Sequence, residues 1–265
     1  MTSIFSYPFF QHALFIGCLS SIVCGIMGCF IVLKRLSFLT ASISHSILGG
    51  VGLSLLFGIN PLLGAFGFGY ISTSFMVWIQ CKFKEKEDTL IGIIWTLGMS
   101  IGIICLSFNP SFSSDFSHYL FGNILLTTYQ DIWIISCLNI LIIGTIIVFF
   151  RSLQILIFDP TYAEVLNLPV FWLNFLLLQL ITFSTVVLLK SVGGILLIAL
   201  LTIPAATAKN MTLSLKKMIY ISITCCILAS SLGTIASYYL NLPSGPSIVI
   251  SSCILYLLSL IYQHF

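Results

Sequence analysis

The chain is organised around the stretch KRLSFLTASISHSILGG, residues 34–50. A dibasic pair, Lys34 and Arg35, ends one long apolar segment, and the next apolar segment carries His45 within its first turns. The other histidines lie at segment ends or in loops: His12, His118 and His264. An ionisable or metal-ligating side chain is costly at membrane depth. If these segments cross a bilayer, His45 is therefore the first candidate for a functional residue.

The composition indicates a membrane protein. Of the 265 residues, 59% are hydrophobic and 6% are charged, and the mean hydropathy is +1.16. A soluble globular domain carries about 25% charged residues, so this chain cannot form a water-soluble surface. The net charge of +3 is typical of membrane loops and does not indicate nucleic-acid binding. Because no polar stretch is long enough to fold alone, we expect one transmembrane domain over residues 1–265.

The apolar segments predict an all-α polytopic protein. A helix needs about 20 mostly apolar residues to cross the hydrocarbon core, and that criterion gives roughly nine spans, with eight to ten possible. Residues 109–130 leave room for a short re-entrant helix. The predicted spans are 12–33, 39–58, 62–80, 89–108, 131–150, 170–189, 193–209, 218–240 and 246–263.

The basic residues predict the orientation of these spans. If the chain alternates sides from an external N-terminus, all of the ten Lys and Arg residues except Lys190 fall on the inner side. Inner loops of membrane proteins carry an excess of Lys and Arg. We therefore expect the N-terminus outside and the C-terminus inside.

Residues 158–169 form the longest polar interruption on the predicted inner side. Asp159 can cap a helix whose first residue is Pro160, and Pro169 is expected to end it. Such a helix would place Tyr162 on one side and Glu164 on another. The pattern alone leaves two interpretations open: an ordinary interfacial helix, or a docking element for a cytoplasmic partner.

A proline interrupts the span at residues 193–209. Non-helical backbone at membrane depth is tolerated where it is buried in protein or lines a cavity. Two interpretations of Pro204 follow. The helix is broken there, so that Pro204 and Ala205 line a transport path, or the helix is only kinked.

Several motifs occur in a specific order along nearly the whole chain. They are residues 33–39 with Ser44 and His45, and residues 86–93, 119–125, 158–169, 204–208 and 238–246. In this order and spacing the chain resembles the membrane permease of the ABC-3 family, whose members belong to bacterial importers of zinc, manganese and iron.

This resemblance implies the rest of a transport machine in the bacterial cytoplasmic membrane. The expected partners are two cytoplasmic ATPases, an external metal-binding protein, membrane lipids, and a second permease subunit in a homodimer or a paralogous heterodimer. The fold is expected to be similar to that of vitamin B12-type importer permeases, with the path at the dimer interface. In that picture the coupling helix near residues 158–169 contacts the ATPase through Asp159, Pro160, Tyr162, Ala163, Glu164 and Leu166.

The expected chemistry is transient binding of a divalent metal ion as cargo, without a permanent cofactor. The sequence contains no G-x-x-x-x-G-K-[ST] motif, so ATP hydrolysis is expected in a partner and the chain is not expected to be an enzyme. An ion-coupled secondary carrier is the main alternative. It is disfavoured because proton relays need intramembrane Asp, Glu or His chains, and the predicted spans have no carboxylate in their interior.

One position departs from the family pattern. Family members commonly carry an aspartate four residues before the histidine, where the two side chains share a helix face, and here that position is Ala41. Three explanations are open. A second, different permease supplies the carboxylate, or Ser42, Ser44 or water replaces it. In the third, the metal favours nitrogen ligands, since imidazole suits zinc and iron while carboxylate suits manganese. Asp115 and Asp131 are external in this topology and are poor substitutes. In the remaining alternative, His45 only hydrogen-bonds a neighbouring helix.

Overall fold

The computed structural model describes residues 8–83, 87–108 and 128–264, and every regular element in these ranges is an α-helix. The helices are α1 Pro8–Leu33, α2 Ser37–Phe57, α3 Pro61–Phe83, α4 Glu87–Phe108, α5 Tyr129–Phe158, α6 Pro160–Val165, α7 Val170–Val192, α8 Gly194–Met211, α9 Leu215–Leu240 and α10 Ser244–His264.

Nine of the helices in the described ranges are long and apolar enough to cross a membrane, and the exception is the six-residue α6. The all-α fold and the nine predicted spans are therefore confirmed. The re-entrant helix considered within residues 109–130 falls almost entirely outside the described residues.

One predicted boundary is wrong. The span expected to stop at residue 150 continues through Arg151 to Phe158 as part of the 30-residue α5. An arginine does not end a helix, because its long side chain can carry the charge to the membrane surface while the backbone stays helical.

Helix α2 packs closely against α3 and α4 through glycines. A Cβ atom placed on Gly98 of α4 would lie 2.3 Å from Ser46 Cα, and one placed on Gly50 of α2 would lie 2.3 Å from the Gly64 carbonyl oxygen of α3. Small residues permit such approach where the bilayer supplies no hydrophobic drive between helices. The backbone of α2 is thus held rigidly on both sides.

Helix α1 packs in the same manner against α8 and α9. A Cβ atom on Gly28 would lie 2.3 Å from the Leu201 carbonyl oxygen of α8, and one on Gly25 would lie 2.7 Å from Ile223 Cα of α9. Helices α1, α8 and α9 therefore form a second closely packed group.

Of the two interpretations of Pro204, the helix break is wrong. Helix α8 is continuous from Gly194 to Met211 with Pro204 inside it, and both Pro204 and Ala205 are buried. A proline cannot donate to the carbonyl four residues earlier. Here the Cys226 thiol of α9 lies 3.6 Å from the Leu200 carbonyl oxygen and donates to it instead. This thiol therefore satisfies the carbonyl that Pro204 leaves without a backbone donor.

Candidate transit site and coupling surface

His45 lies on α2 and faces α4. Its imidazole ring stacks on the indole ring of Trp95, with ring centroids 4.7 Å apart and an interplanar angle of 9°. The Ser42 hydroxyl, one turn earlier on α2, donates a 2.7 Å hydrogen bond to the Ile91 carbonyl oxygen, one turn before Trp95 on α4. This bond fixes the register of the two helices and thereby brings the two rings together.

One nitrogen of His45 is buried without a hydrogen-bond partner among the described residues. This atom is Nδ1. Buried polar side-chain atoms are nearly always hydrogen-bonded, so an exception needs an explanation. With its proton on Nε2, the imidazole presents a lone pair at Nδ1 that can accept a hydrogen bond or bind a metal ion.

The other residues considered for this site do not complete a metal cage. Ser42 donates to α4, and the Ser44 hydroxyl donates to the Thr40 carbonyl oxygen at 2.8 Å on its own helix. Ala41 is buried and offers no ligand atom. Within the described ranges, no group of three or more His, Cys, Asp or Glu side chains is arranged to hold a metal ion.

Asp131 is engaged in an ion pair away from His45. Its Oδ1 accepts a 2.7 Å hydrogen bond from Lys190 Nζ at the end of α7, and its Oδ2 accepts from the backbone N–H and the hydroxyl of Thr128. The carboxylate therefore caps α5 and joins it to α7. Asp115 lies outside the described residues.

The predicted cap of α6 is confirmed. Asp159 Oδ1 accepts a 2.5 Å hydrogen bond from the Thr161 hydroxyl and a 3.0 Å hydrogen bond from the Tyr162 backbone N–H, with Pro160 at the first helical position. The Thr161 hydroxyl first, and then the Tyr162 N–H, stabilise the ionised carboxylate and lower the pKa of Asp159.

The end of α6 differs from the prediction. The helix stops at Val165 rather than near Pro169, because Asn167 adopts a left-handed conformation with φ of 54°. The Leu168 N–H then donates to the Ala163 carbonyl oxygen at 3.0 Å. This pattern closes a helix C-terminus with an asparagine in place of the usual glycine.

Helix α6 presents an exposed apolar surface. Ala163 is fully buried, so it anchors the helix and is not available for direct contact with a partner, contrary to the prediction. Glu164 is exposed on the same helix. The large apolar side chains exposed around α6 are Phe158, Tyr162, Val165, Leu166, Phe171 and Trp172.

The sequence did not single out Trp95 or Cys226. Trp95 is important only because α2 and α4 cross in one register, which places its ring against His45. Cys226 is important because its thiol donates to the Leu200 carbonyl oxygen on another helix. Both contacts join residues that are far apart in sequence, so local patterns do not reveal them.

The described ranges hold nine candidate membrane spans and the short capped helix α6, which carries an exposed apolar surface. The family model of the ABC 3 transport family matches residues 6–263. The chain belongs to this family, which confirms the resemblance noted in the sequence.

Named relatives span nearly the whole chain. The manganese import system permease protein ScaB of Streptococcus gordonii is 39% identical over 96% of this chain and 91% of ScaB. The manganese transport system membrane protein MntC of Listeria innocua is 36% identical over 99% of this chain and 93% of MntC. In the solved structures, a chain of PsaBC from Streptococcus pneumoniae in complex with Fab is 37% identical, covering 97% of this chain and 92% of that chain with a TM-score of 0.86.

Proposed function

We propose that the chain is the permease subunit of an ABC importer that carries a divalent metal ion, with manganese as its principal cargo. The observation that carries this proposal is its identity of 36–39% to ScaB and MntC, both named for manganese transport, over at least 96% of its length. ATP hydrolysis takes place in a separate cytoplasmic subunit. An external binding protein delivers the ion, and a second permease subunit completes the path.

His45 is proposed as a transit contact for the ion. The unpartnered Nδ1 and the absence of a nearby cage in the described residues support a site with one protein ligand from this chain. Manganese prefers oxygen ligands over imidazole. A single nitrogen ligand therefore holds manganese weakly, and a conduit needs weak binding so that the ion can leave.

Helix α6 is proposed to receive the ATPase stroke. Its exposed apolar side chains suit docking into a groove of a partner, and its capped start and closed end allow it to move as a rigid piece. The proposed sequence of events is docking of α6, closure of the ATPase pair, and a shift of the attached helices α5 and α7.

Metal uptake tests this proposal. The full system is expressed in cells with its ATPase and binding protein, and uptake of radiolabelled manganese is measured with zinc and iron as competitors. We expect His45→Ala to lower uptake by at least about tenfold at equal protein level, in the range seen when a metal site loses a supporting group. His12→Ala is the matched control. His12 makes an edge-to-face contact with Tyr129 at the opposite end of α1 from Lys34, so this variant is expected to leave uptake unchanged.

Two further variants separate the alternatives. Ala41→Asp restores the carboxylate on the face of His45 and is expected to shift the preference further toward manganese. Inactivation of the ATPase is expected to abolish uptake, and uptake that persists would indicate an ion-coupled carrier. Normal transport by His45→Ala would show that His45 is structural. Uptake of zinc or iron in preference to manganese would overturn the proposed cargo.

A further inference from the structure

A groove open to the membrane runs along α1, α5 and α9. It has a volume of about 760 Å³, within the roughly 300–1,000 Å³ of pockets that hold small organic ligands. Each helix contributes one face, since its lining residues recur at helical spacing. The lining of α5 and α9 includes Ile143, Ile147, Phe150, Arg151, Lys216 and Ile223.

The groove forms because α9 packs closely against α1. Gly25 lets Ile223 of α9 approach α1 directly, so Ile22 and Ile26 of α1 form the floor between α5 and α9. On α5 the lining extends from Ile143 to Arg151, eight residues or about 12 Å along the helix axis. The floor and walls over this distance are apolar, which suits an acyl chain.

Both cations of the groove lie at the same end of it. Arg151 is the last lining residue of α5 and Lys216 is the first of α9, and the Lys216 ammonium lies 5.6 Å from the centre of the Phe150 ring. Arg151 lies about 33 Å along α5 from Tyr129 at a rise of 1.5 Å per residue. Since the hydrocarbon core is about 30 Å thick, this end of the groove reaches the interfacial region of the membrane.

Neither cation has an acidic partner in the part of the chain that the structure describes. The ion pair found there joins Lys190 to Asp131, and both Arg151 and Lys216 are exposed. A second copy of the chain seated symmetrically on this groove would bring another Arg151 and Lys216 against the first pair. A ligand with an apolar tail and an anionic head fits this groove, because the tail contacts the apolar walls and the head contacts the two cations.

We propose that this groove is a binding site for one anionic phospholipid, with an acyl chain between α5 and α9 and the phosphate at Arg151 and Lys216. Basic pockets between transmembrane helices bind anionic head groups in this manner. The site lies at the end of α5 that continues into α6 through Asp159. The bound lipid therefore joins α9 to the helix that leads into α6.

Native mass spectrometry of the purified full-length permease tests the proposal. Phosphatidylglycerol and phosphatidylcholine with identical acyl chains are titrated in turn. We expect one phosphatidylglycerol to be retained per chain, and at least about tenfold weaker retention of phosphatidylcholine. The double variant Arg151→Gln with Lys216→Gln is expected to lose this preference. Lys217→Gln is the matched control, because Lys217 is an exposed lysine next in sequence that lies outside the groove.

A second pair of variants tests the apolar part of the groove without altering charge. Ile147→Trp fills the groove and is expected to reduce phosphatidylglycerol retention, whereas Ile140→Trp, at a similarly exposed position two turns away on α5, is expected to retain it. Equal retention of the two lipids, or unchanged retention by the charge variants, would overturn the proposal. So would an Ile147→Cys variant that forms a disulfide-linked dimer in membranes, since a second copy would then occupy the groove.

Discussion

At the scale of single residues, Asp159 is the clearest case of a structure encoded locally. One carboxylate oxygen accepts hydrogen bonds from Thr161 and Tyr162, and Pro160 fixes the first helical φ angle. The cap could be predicted because all of its parts lie within four consecutive residues. His45 could be predicted only as a candidate, because its stacking on Trp95 depends on how two helices cross.

Removal of the Asp159 carboxylate is expected to loosen α6. In Asp159→Ala, the Tyr162 N–H loses its acceptor, so the backbone amides of residues 161–165 should exchange hydrogen faster, and coupled metal uptake should fall. Hydrogen exchange measured by mass spectrometry checks this prediction. Glu164→Ala is the control for hydrogen exchange, because Glu164 is an exposed carboxylate on the same helix without a capping role. Unchanged exchange in Asp159→Ala would contradict it.

The same cap has a defined pH dependence. Hydrogen bonds from Thr161 and Tyr162 lower the pKa of Asp159 from its ordinary value of 3.8. A group with a lowered pKa in the folded state contributes stability that is fully present above its unfolded pKa and is lost as pH falls through its folded pKa. Protection of α6 should therefore stay constant at neutral pH and decline only in acid below the ordinary aspartate range. Asp159→Asn is expected to show no such decline.

At the scale of helices, close approach at glycines decides the packing around His45. Gly98 has no room for a methyl group, because Ser46 Cα lies 2.3 Å from the position of its Cβ, whereas nothing lies within 4 Å of the corresponding position at Gly92. Both glycines belong to α4, and both occur in a uniformly apolar sequence. The sequence pattern therefore predicted a helix, but it could not show which glycine forms the contact.

Gly98→Ala should consequently separate α2 from α4. Forcing extra atoms into a packed contact costs about 1–3 kcal/mol, and here the obstacle is backbone, which cannot rotate away. We expect a lower unfolding temperature in detergent and reduced metal uptake through the displaced His45. Gly92→Ala is the matched control and should be neutral or slightly stabilising, since alanine restricts the unfolded chain more than glycine does. Equal stability of the two variants would refute the close contact.

The ends of helices were the least predictable feature. The prediction ended the α5 span before Arg151 and left a break in α8 at Pro204 as one of two interpretations, but both helices continue. In each case a side chain compensates for the feature that was thought to end the helix. Arginine carries its charge to the membrane surface, and the Cys226 thiol donates to the carbonyl that Pro204 cannot satisfy. These compensations come from tertiary structure, which local propensity does not contain.

At the scale of the whole molecule, nine spans could be predicted because each is a long apolar segment bounded by charge, proline or glycine. The arrangement of these spans could not be predicted, since all nine are similarly apolar. Which helices pack together depends on individual glycines and hydroxyl groups. The predicted sidedness stays a prediction. The ion pair of Lys190 with Asp131 places the end of α7 and the start of α5 on one side of the helix bundle, and it forms in either orientation of the chain.

The orientation itself can be tested with two introduced cysteines. Ile59, between α2 and α3, is 53% exposed, and Leu213, between α8 and α9, is 100% exposed. With the N-terminus outside, Ile59 lies outside and Leu213 lies next to the inner lysines. A membrane-impermeant maleimide should therefore label Ile59→Cys in right-side-out vesicles and Leu213→Cys only after permeabilisation. The parent chain, labelled in parallel, measures the reaction of native thiols such as Cys137 and Cys253.

The opposite labelling pattern would invert the topology and would place α6 outside, where it could not contact a cytoplasmic ATPase. This experiment therefore tests the coupling role of α6 as well as the sidedness of the spans.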